Sequence, residues 1–420
     1  MANRPCGVEL VELVELEHGS LVLPFISMQD ATQLRGVCRR LLAAVADHQW
    51  DDRETLVNHL AFWRLSFPRA VSCAVGKVKI SHQNLATLCG LRWITFGANV
   101  QLGTLALCAV RASMHVFSAA RRLDLWQCRS LELTDSEMQR LPHVRELLGN
   151  ITYGTDAGIA ALERVELLHL IAQGPTRFSD AGLTSLRHIV QLDLMGIQDM
   201  GACTRAGFIQ LAPTLRRLRL QSIANLHLDD SVFGALSLES LLLDECPLVT
   251  LGDAGLAALA PIRELHLIYM PGVSCTDWGI AQLAGIEVLQ IYGCSDAVVS
   301  DDGVAALSGI RVLQLSNLPN VCVTDDGLMS IAGAQSIDLS GCPQVLIQGW
   351  GLSALIGIER LDLSNTGSII APEIANWITE TGTNLFIDEF DDGFDDAFDD
   401  EFDDGVEDEF DDDFEDEFEF

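Results

Sequence analysis

Lysine is almost absent from this chain of 420 residues: Lys77 and Lys79 stand against 24 arginines. An arginine-rich codon composition and avoidance of modification on lysine both account for that bias. No Cys-x-x-Cys pair occurs among the 12 cysteines, which argues against a zinc finger or thioredoxin-like chemistry. No apolar segment follows Met1, and no run of about 18 apolar residues occurs anywhere, so neither a leader nor a membrane span is expected. The chain therefore reads as a soluble intracellular protein, cytoplasmic or nuclear. Catalytic signatures are missing as well: there is no GxxxxGK[ST], GxSxG, HExxH or GxGxxG. The 10 histidines show no metal-ligand spacing. No catalytic residue, no metal and no cofactor is expected.

Basic charge is missing from the second half. Residues 1–219 hold 23 basic and 20 acidic side chains, residues 220–385 hold 3 and 19, and residues 386–420 hold none and 21, for a net charge of −34. Phosphate contacts need Lys and Arg, so nucleic acid is an unsuitable partner for such a chain.

What is present is a repeat. Gly255, Gly279, Gly303, Gly327 and Gly351 fall 24 residues apart. Each opens apolar positions spaced LxxLxxIxxLxL, as in Leu256, Leu259, Ile262, Leu265 and Leu267. The first part of that spacing puts one stripe on a helical turn, and the closing LxL puts two side chains on one face of a strand. Five buried apolar side chains contribute roughly 1.5–3 kcal/mol each, while ordering the backbone costs about 1–2 kcal/mol per residue. One unit cannot stand alone, so the repeats must stack. The pattern predicts an α/β leucine-rich repeat solenoid with a parallel sheet on its concave face. Taking the first residue of each LxL as a marker gives Ile94, Leu123, Leu147, Leu168, Leu192, Leu218, Leu241, Leu265, Leu289, Leu313, Ile337 and Leu361, about twelve repeats across 81–385, with Leu385 in a closing unit. Ser/Thr-Asp pairs ahead of the glycines, such as Thr276-Asp277, suit a helix cap followed by an acid at the positive end of the helix dipole. Cys246, Cys294 and Cys342 recur every second repeat. At roughly 4.8 Å per strand they lie too far apart for a disulfide and read as small buried thiols.

The segment before residue 80 does not follow the repeat. Residues 21–50 show helical apolar spacing at Leu23, Ile26, Leu34, Val37, Leu41 and Leu42, with Asp30 placed to cap a helix running through Arg40. Leu23, Phe25, Ile26, Asp30, Leu34, the Val37-Cys38-Arg39-Arg40 block and Trp50 resemble an F-box, a small helical module. Pro24, Ala31 and Leu41 depart from that pattern, and its usual Leu-Pro opening is absent. Cys128, Cys246, Cys294 and Cys342, each five residues after a marker, resemble the cysteine-containing class of leucine-rich repeats that many F-box proteins carry. The resemblance implies an F-box-like module over 10–60, a linker or N-terminal cap over 61–80, and a receptor role in a cullin–RING ubiquitin ligase. By it, the Skp-type adaptor is bound through Leu23, Phe25, Ile26, Asp30, Leu34, Val37, Cys38 and Trp50, and the chain is a monomer within that complex.

The protein target is expected on outward strand positions of the first two-thirds of the sheet: Trp126, His169, Met195, Arg217, Arg219, His266, Ile268 and Tyr292, with Tyr269 in the adjoining turn. Aromatics, Met and Arg are enriched at interface centres. Later repeats show Gln314, Ser316, Asp338, Ser340, Asp362 and Ser364 instead. Residues 386–420 place Phe at every fourth position from Phe386 to Phe402 and again at Phe410, Phe414 and Phe418, between 21 acids. Such a tail is expected to be disordered when free. It could order on a basic partner or on the arginine-rich first half, or act only as a solubilising segment. The rival function is a non-enzymatic scaffold whose tail binds basic proteins.

Overall fold

The computed structural model describes residues 23, 26–35, 39–77, 82–97, 113–128, 131–355 and 357–387. Phe25, Val37, Cys38 and the tail from residue 388 onward lie outside the described residues.

An LxL strand buries both leucines only if neighbours on each side cover its edges, and the repeats meet that need with one parallel sheet of 16 strands. Fifteen strands run in sequence order from Leu56–Val57 to Asn384–Phe386, and the short strand Glu132–Leu133 pairs beside Glu146–Ile151. The markers form one register line: Ile94, Leu123, Leu147 and Leu168 pair in turn, as do Leu192, Leu218, Leu241, Leu265 and Leu289. The line continues through Leu313, Ile337 and Leu361 to Leu385. Strands Leu56–Val57 and Ser72–Val75 pair ahead of Trp93–Phe96, so the sheet begins upstream of residue 81. Short helices form the opposite layer, and their inward residues join the leucines in one continuous core.

Where a repeat helix opens on aspartate, that acid ties it to the next repeat. Asp156 opens the helix Asp156–Ala160, and its carboxylate accepts the backbone N–H and the hydroxyl of Ser179, the next N-cap. Asp180 does the same for Thr204, at 2.7 and 2.6 Å. Asp253 binds Thr276, Asp277 binds Ser300 and Asp301 binds Thr324 in the same way. Each cap hydroxyl in turn accepts from the backbone two residues on, as Ser179 does from Ala181 N–H. At the end of the series Asp325, which is buried, accepts the N–H groups of Gln348, Gly349 and Gly351.

This joint explains the glycine period. A Cβ added at Gly182, Gly279, Gly303 or Gly327 would stand closer than 3.0 Å to the aspartate of the preceding repeat. Where the aspartate is absent the glycine is absent too. Arg205 opens the helix Arg205–Leu211, the next cap is Asp229 instead of Ser or Thr, and Val232 takes the glycine's position. Asp229 is held below the ordinary carboxylate range by the Ser231 hydroxyl it accepts, with Arg205 acting in the same direction.

Cysteines make a second tie. Cys246, Cys294 and Cys342 are fully buried, and their thiols donate to the carbonyls of Leu220, Leu267 and Leu315 in the repeat before. Burial pushes the Cys246 and Cys342 thiols up to about 11 and the Cys128 and Cys275 thiols up to about 12.

Among the described residues Ser27, not Asp30, caps the first helix. The Ser27 hydroxyl accepts from Asp30 N–H, and Asp30 sits inside the helix Met28–Leu34. That helix stops at Leu34 and a second one covers Arg39–Asp47, so the single helix expected through Arg40 is two. Asp52 joins this module to the sheet by accepting from Met28 N–H at 2.6 Å and from Thr55.

Two predictions follow from these ties. Gly182→Ala should destabilise the protein, because its Cβ meets Asp156. In an Asp156→Ala background the same change should become stabilising, by up to about 1 kcal/mol, as an interior helix glycine is relieved. Denaturant unfolding of the four chains reads this, and an effect of one sign in both backgrounds would refute the joint. Thiols of the unfolded chain ionise near about 8.5, whereas the buried thiols keep their protons to about 11 or 12. Between those values the unfolded state binds fewer protons, so stability should fall as pH rises. The urea midpoint should drop from pH 8.5 to 10.5, and less steeply in a Cys246→Ala/Cys342→Ala variant.

Candidate protein-docking surface

Strand alternation turns three rows of side chains away from the core. The middle row is fixed by register: His169, Asp193, Arg219, Leu242, His266, Gln290 and Gln314 stand side by side on successive strands. The row beside it carries Ile171, Met195, Gln221, Asp244, Ile268, Tyr292 and Ser316. The expected target residues therefore do share one face. Arg217 and Arg219 are exposed, and Trp126, His169, Met195, His266, Ile268 and Tyr292 are half-buried.

Two local clusters give this face its chemistry. In the first, the Trp126 and His169 rings lie 4.3 Å apart, and His169 Nδ1 is 3.2 Å from Asp193 Oδ2. Gln191 Nε2 donates to the same oxygen at 2.9 Å. Asp193 is 5% exposed, yet its Oδ1 and His169 Nε2 have no hydrogen-bond partner. Both atoms are closed off inside the cluster, so the groups this face offers a partner are the half-buried Trp126 ring and the exposed Arg217 and Arg219. In the second cluster Tyr269 and Tyr292 meet edge to face at 4.9 Å, with their hydroxyls 3.3 Å apart. Tyr269 is 51% exposed at φ 48°, a left-handed backbone that costs a non-glycine residue of order 1–3 kcal/mol. His266 Nδ1 lies 2.8 Å from Gln290 Oε1 between the two clusters.

The later repeats differ. Ser340 and Ser364 hydroxyls donate to Asp338 and Asp362 two residues earlier, each at 2.6 Å. Ser340 and Ser364 are thus satisfied within the strip, whereas the buried Ser316 hydroxyl has no hydrogen-bond partner among the described residues.

The described residues among those assigned to an adaptor surface differ in exposure. Leu23 and Trp50 are buried, and Trp50 donates its indole N–H to Val45 O at 2.7 Å and packs edge to face on Phe67. Their apolar area is used inside the module and is not offered to a partner. Ile26 is half-buried, Asp30 is exposed, and Leu34 lies in the helix Met28–Leu34. Among the described residues of 10–60 the exposed large apolar side chains are Leu42 and Leu56, and two more lie in the linker or cap that follows. The helix Leu60–Ser66 buries Leu60 and Trp63 and turns Phe62 and Leu65 outward, 74% and 80% exposed. Phe62 borders a cavity of about 680 Å³ shared with Asn58, His59 and Lys77. Sequence reasoning missed Phe62, Leu65 and Asp193. The LDL of Asp193 was visible, but its burial beside His169 follows only from the register.

No family model matches the chain, and no curated protein matches it. Among solved structures it is similar to a leucine-rich repeat protein of Leptospira interrogans, at 15% identity over 82% of this chain and 97% of that one, with a TM-score of 0.51. It is also similar to Rad7 in the yeast Rad7–Elc1 complex, at 13% identity, 91% and 98% coverage and TM-score 0.49, and to an internalin of Listeria monocytogenes, at 13%, 76% and 86%, and 0.41. The likeness to the Leptospira protein is one of fold, and with the continuous parallel sheet it shows a leucine-rich repeat solenoid. No described helix is long and apolar enough to cross a membrane, and no group of metal-binding side chains occurs among the described residues.

Burial separates the two kinds of residue in the module and the segment after it by experiment. Trp50→Ala should cost about 3–5 kcal/mol, while Phe62→Ser should leave stability within about 0.5 kcal/mol. Equal losses in urea unfolding would place Phe62 in the core.

Proposed function

We propose that the chain is the non-enzymatic target-binding subunit of a cullin–RING ubiquitin ligase. The helical module holds a Skp-type adaptor, and the concave face holds a protein target. The observation that carries this reading is the outward pair Phe62 and Leu65, in the segment that follows the F-box-like module, together with the separate outward residues Trp126, Arg219 and Tyr292 of the sheet. An outward apolar pair on one helix and an aromatic and arginine face on the sheet suit a subunit that brings two proteins together. The module's F-box-like sequence names the adaptor, and the aromatic, arginine and histidine rows favour a folded protein or peptide as target.

On this reading the chain performs no chemistry. It places the target near the ligase, and the parallel sheet sets the distance between the two bound proteins. The rival reading, a scaffold acting through its acidic tail, is separated by salt. Capture of a basic protein by the tail weakens steeply as ionic strength rises, whereas an apolar adaptor contact does not.

Purified Skp adaptor should be retained by the full chain at both low and physiological salt. A Phe62→Ser/Leu65→Ser variant should lose it while keeping the melting curve. Replacing Trp126, Arg219 and Tyr292 together with Ala should abolish target capture from lysate and leave adaptor binding intact. Failure of the wild-type chain to hold the adaptor would overturn the ligase assignment.

A further inference from the structure

The residues that enter each strand form a ladder along one rim of the sheet. Arg121 N–H donates to Arg92 O, Arg145 N–H to Arg121 O and Glu166 N–H to Arg145 O, which stacks these positions at strand spacing. In the later half the same ladder alternates in sign. Glu287 there lies 3.6 Å from Arg263 and 3.7 Å from Arg311. In the early half three arginines stand in succession. Arg145 is paired with Glu166 at 2.8 Å, but exposed Arg92 and Arg121 have no ion pair among the described residues. Like charges on directly adjacent strands are unfavourable, so this rim is built for an anion.

The arginines line a groove of about 550 Å³ that also contains an aromatic floor. The Arg53 guanidinium lies 3.6 Å from the centre of the Trp93 ring, and the Arg122 guanidinium lies 5.1 Å from it. Asp51, Glu146 and Glu166 on the groove wall are already paired, with Arg53, Arg122 and Arg145. The free charge facing the groove is thus positive, beside a flat aromatic surface. Its complement is a segment of alternating carboxylates and aromatic rings.

We propose that the occupant of this groove is the chain's own acidic tail, residues 388–420, with carboxylates on Arg92 and Arg121 and a phenylalanine against Trp93 and Arg53. That tail holds 21 acidic residues with no basic one, and a phenylalanine in nearly every fourth position. Reach sets which part of it docks. From the last strand, Asn384–Phe386, to Arg122–Asp124 is eleven strand steps, about 53 Å at ~4.8 Å per step. Self-repelling charges keep such a segment extended, and at ~3.3 Å per residue about 16 residues cover the distance. The remaining turns of the pattern, with Phe410, Phe414 and Phe418, arrive at the groove.

The test places a photo-crosslinking benzoyl-phenylalanine at Phe410 in the full chain and maps the products by peptide mass spectrometry. Isotopically light and heavy chains are mixed before irradiation. The expected result is a crosslink within one chain to peptides holding Trp93 or Arg121. It should fall at least tenfold in an Arg92→Glu/Arg121→Glu variant and at 0.5 M salt. Crosslinks to other surfaces, crosslinks only between light and heavy chains, or a yield unchanged by the variant would each overturn the proposal.

Discussion

A carboxylate that accepts two hydrogen bonds from the next repeat is the contact on which this solenoid depends. Leucines make repeats stick, but they are interchangeable and carry no information about phase. Where a repeat helix opens on aspartate, that residue carries it. It binds the N–H and hydroxyl of the following cap, and it occupies the space that any side chain at the following glycine would need. A helix of five or six residues has little stability of its own, so fixing its first turn from outside is what allows such short helices to form. The same contact neutralises several orphan donors at each helix start.

That contact also accounts for where acidic charge lies. The aspartates gather on the rim where helices begin, while arginines such as Arg92, Arg121, Arg164 and Arg187 sit in the turns that lead into strands. The chain's charge imbalance between halves is therefore superimposed on an imbalance between rims. Partner surfaces are consequently separated by type. The concave rows combine rings, imidazoles and one half-satisfied carboxylate, the entry rim is cationic, and the segment after the N-terminal module is apolar at Phe62 and Leu65.

Most of the fold was legible in the residues because its determinants are periodic. The LxL markers needed only spacing, and each of them falls on the same register line. The capping role of the Ser/Thr residues was legible as well. The second role of the aspartates was not, since an i to i+23 contact leaves no local trace. Asp30 was misplaced by three residues because Ser27 and Asp30 both satisfy a capping pattern, and only the backbone shows which one precedes the helix. The outward positions of the sheet were legible as a set. The coupling of Trp126, His169 and Asp193 was not, because those three come from three different repeats. Trp50 shows the opposite error: a conspicuous aromatic in a helical module reads as a contact residue, while its indole N–H is spent on Val45 O inside.

The reversed joint at Arg205 and Asp229 has a consequence for how such a chain can change length. Most boundaries present an acid on one side and a hydroxyl with a glycine on the other, as Asp253 does with Thr276 and Gly279, so a gene that loses or duplicates one such unit rejoins compatible ends. Across the Arg205 boundary the ends do not interchange. A deletion that joined the Asp180 side directly to the Asp229 side would set two carboxylates against each other and press Val232 into the acid's space. Copy-number drift is thus permitted within either segment and penalised across the divide, so the parts before and after Arg205 change length separately.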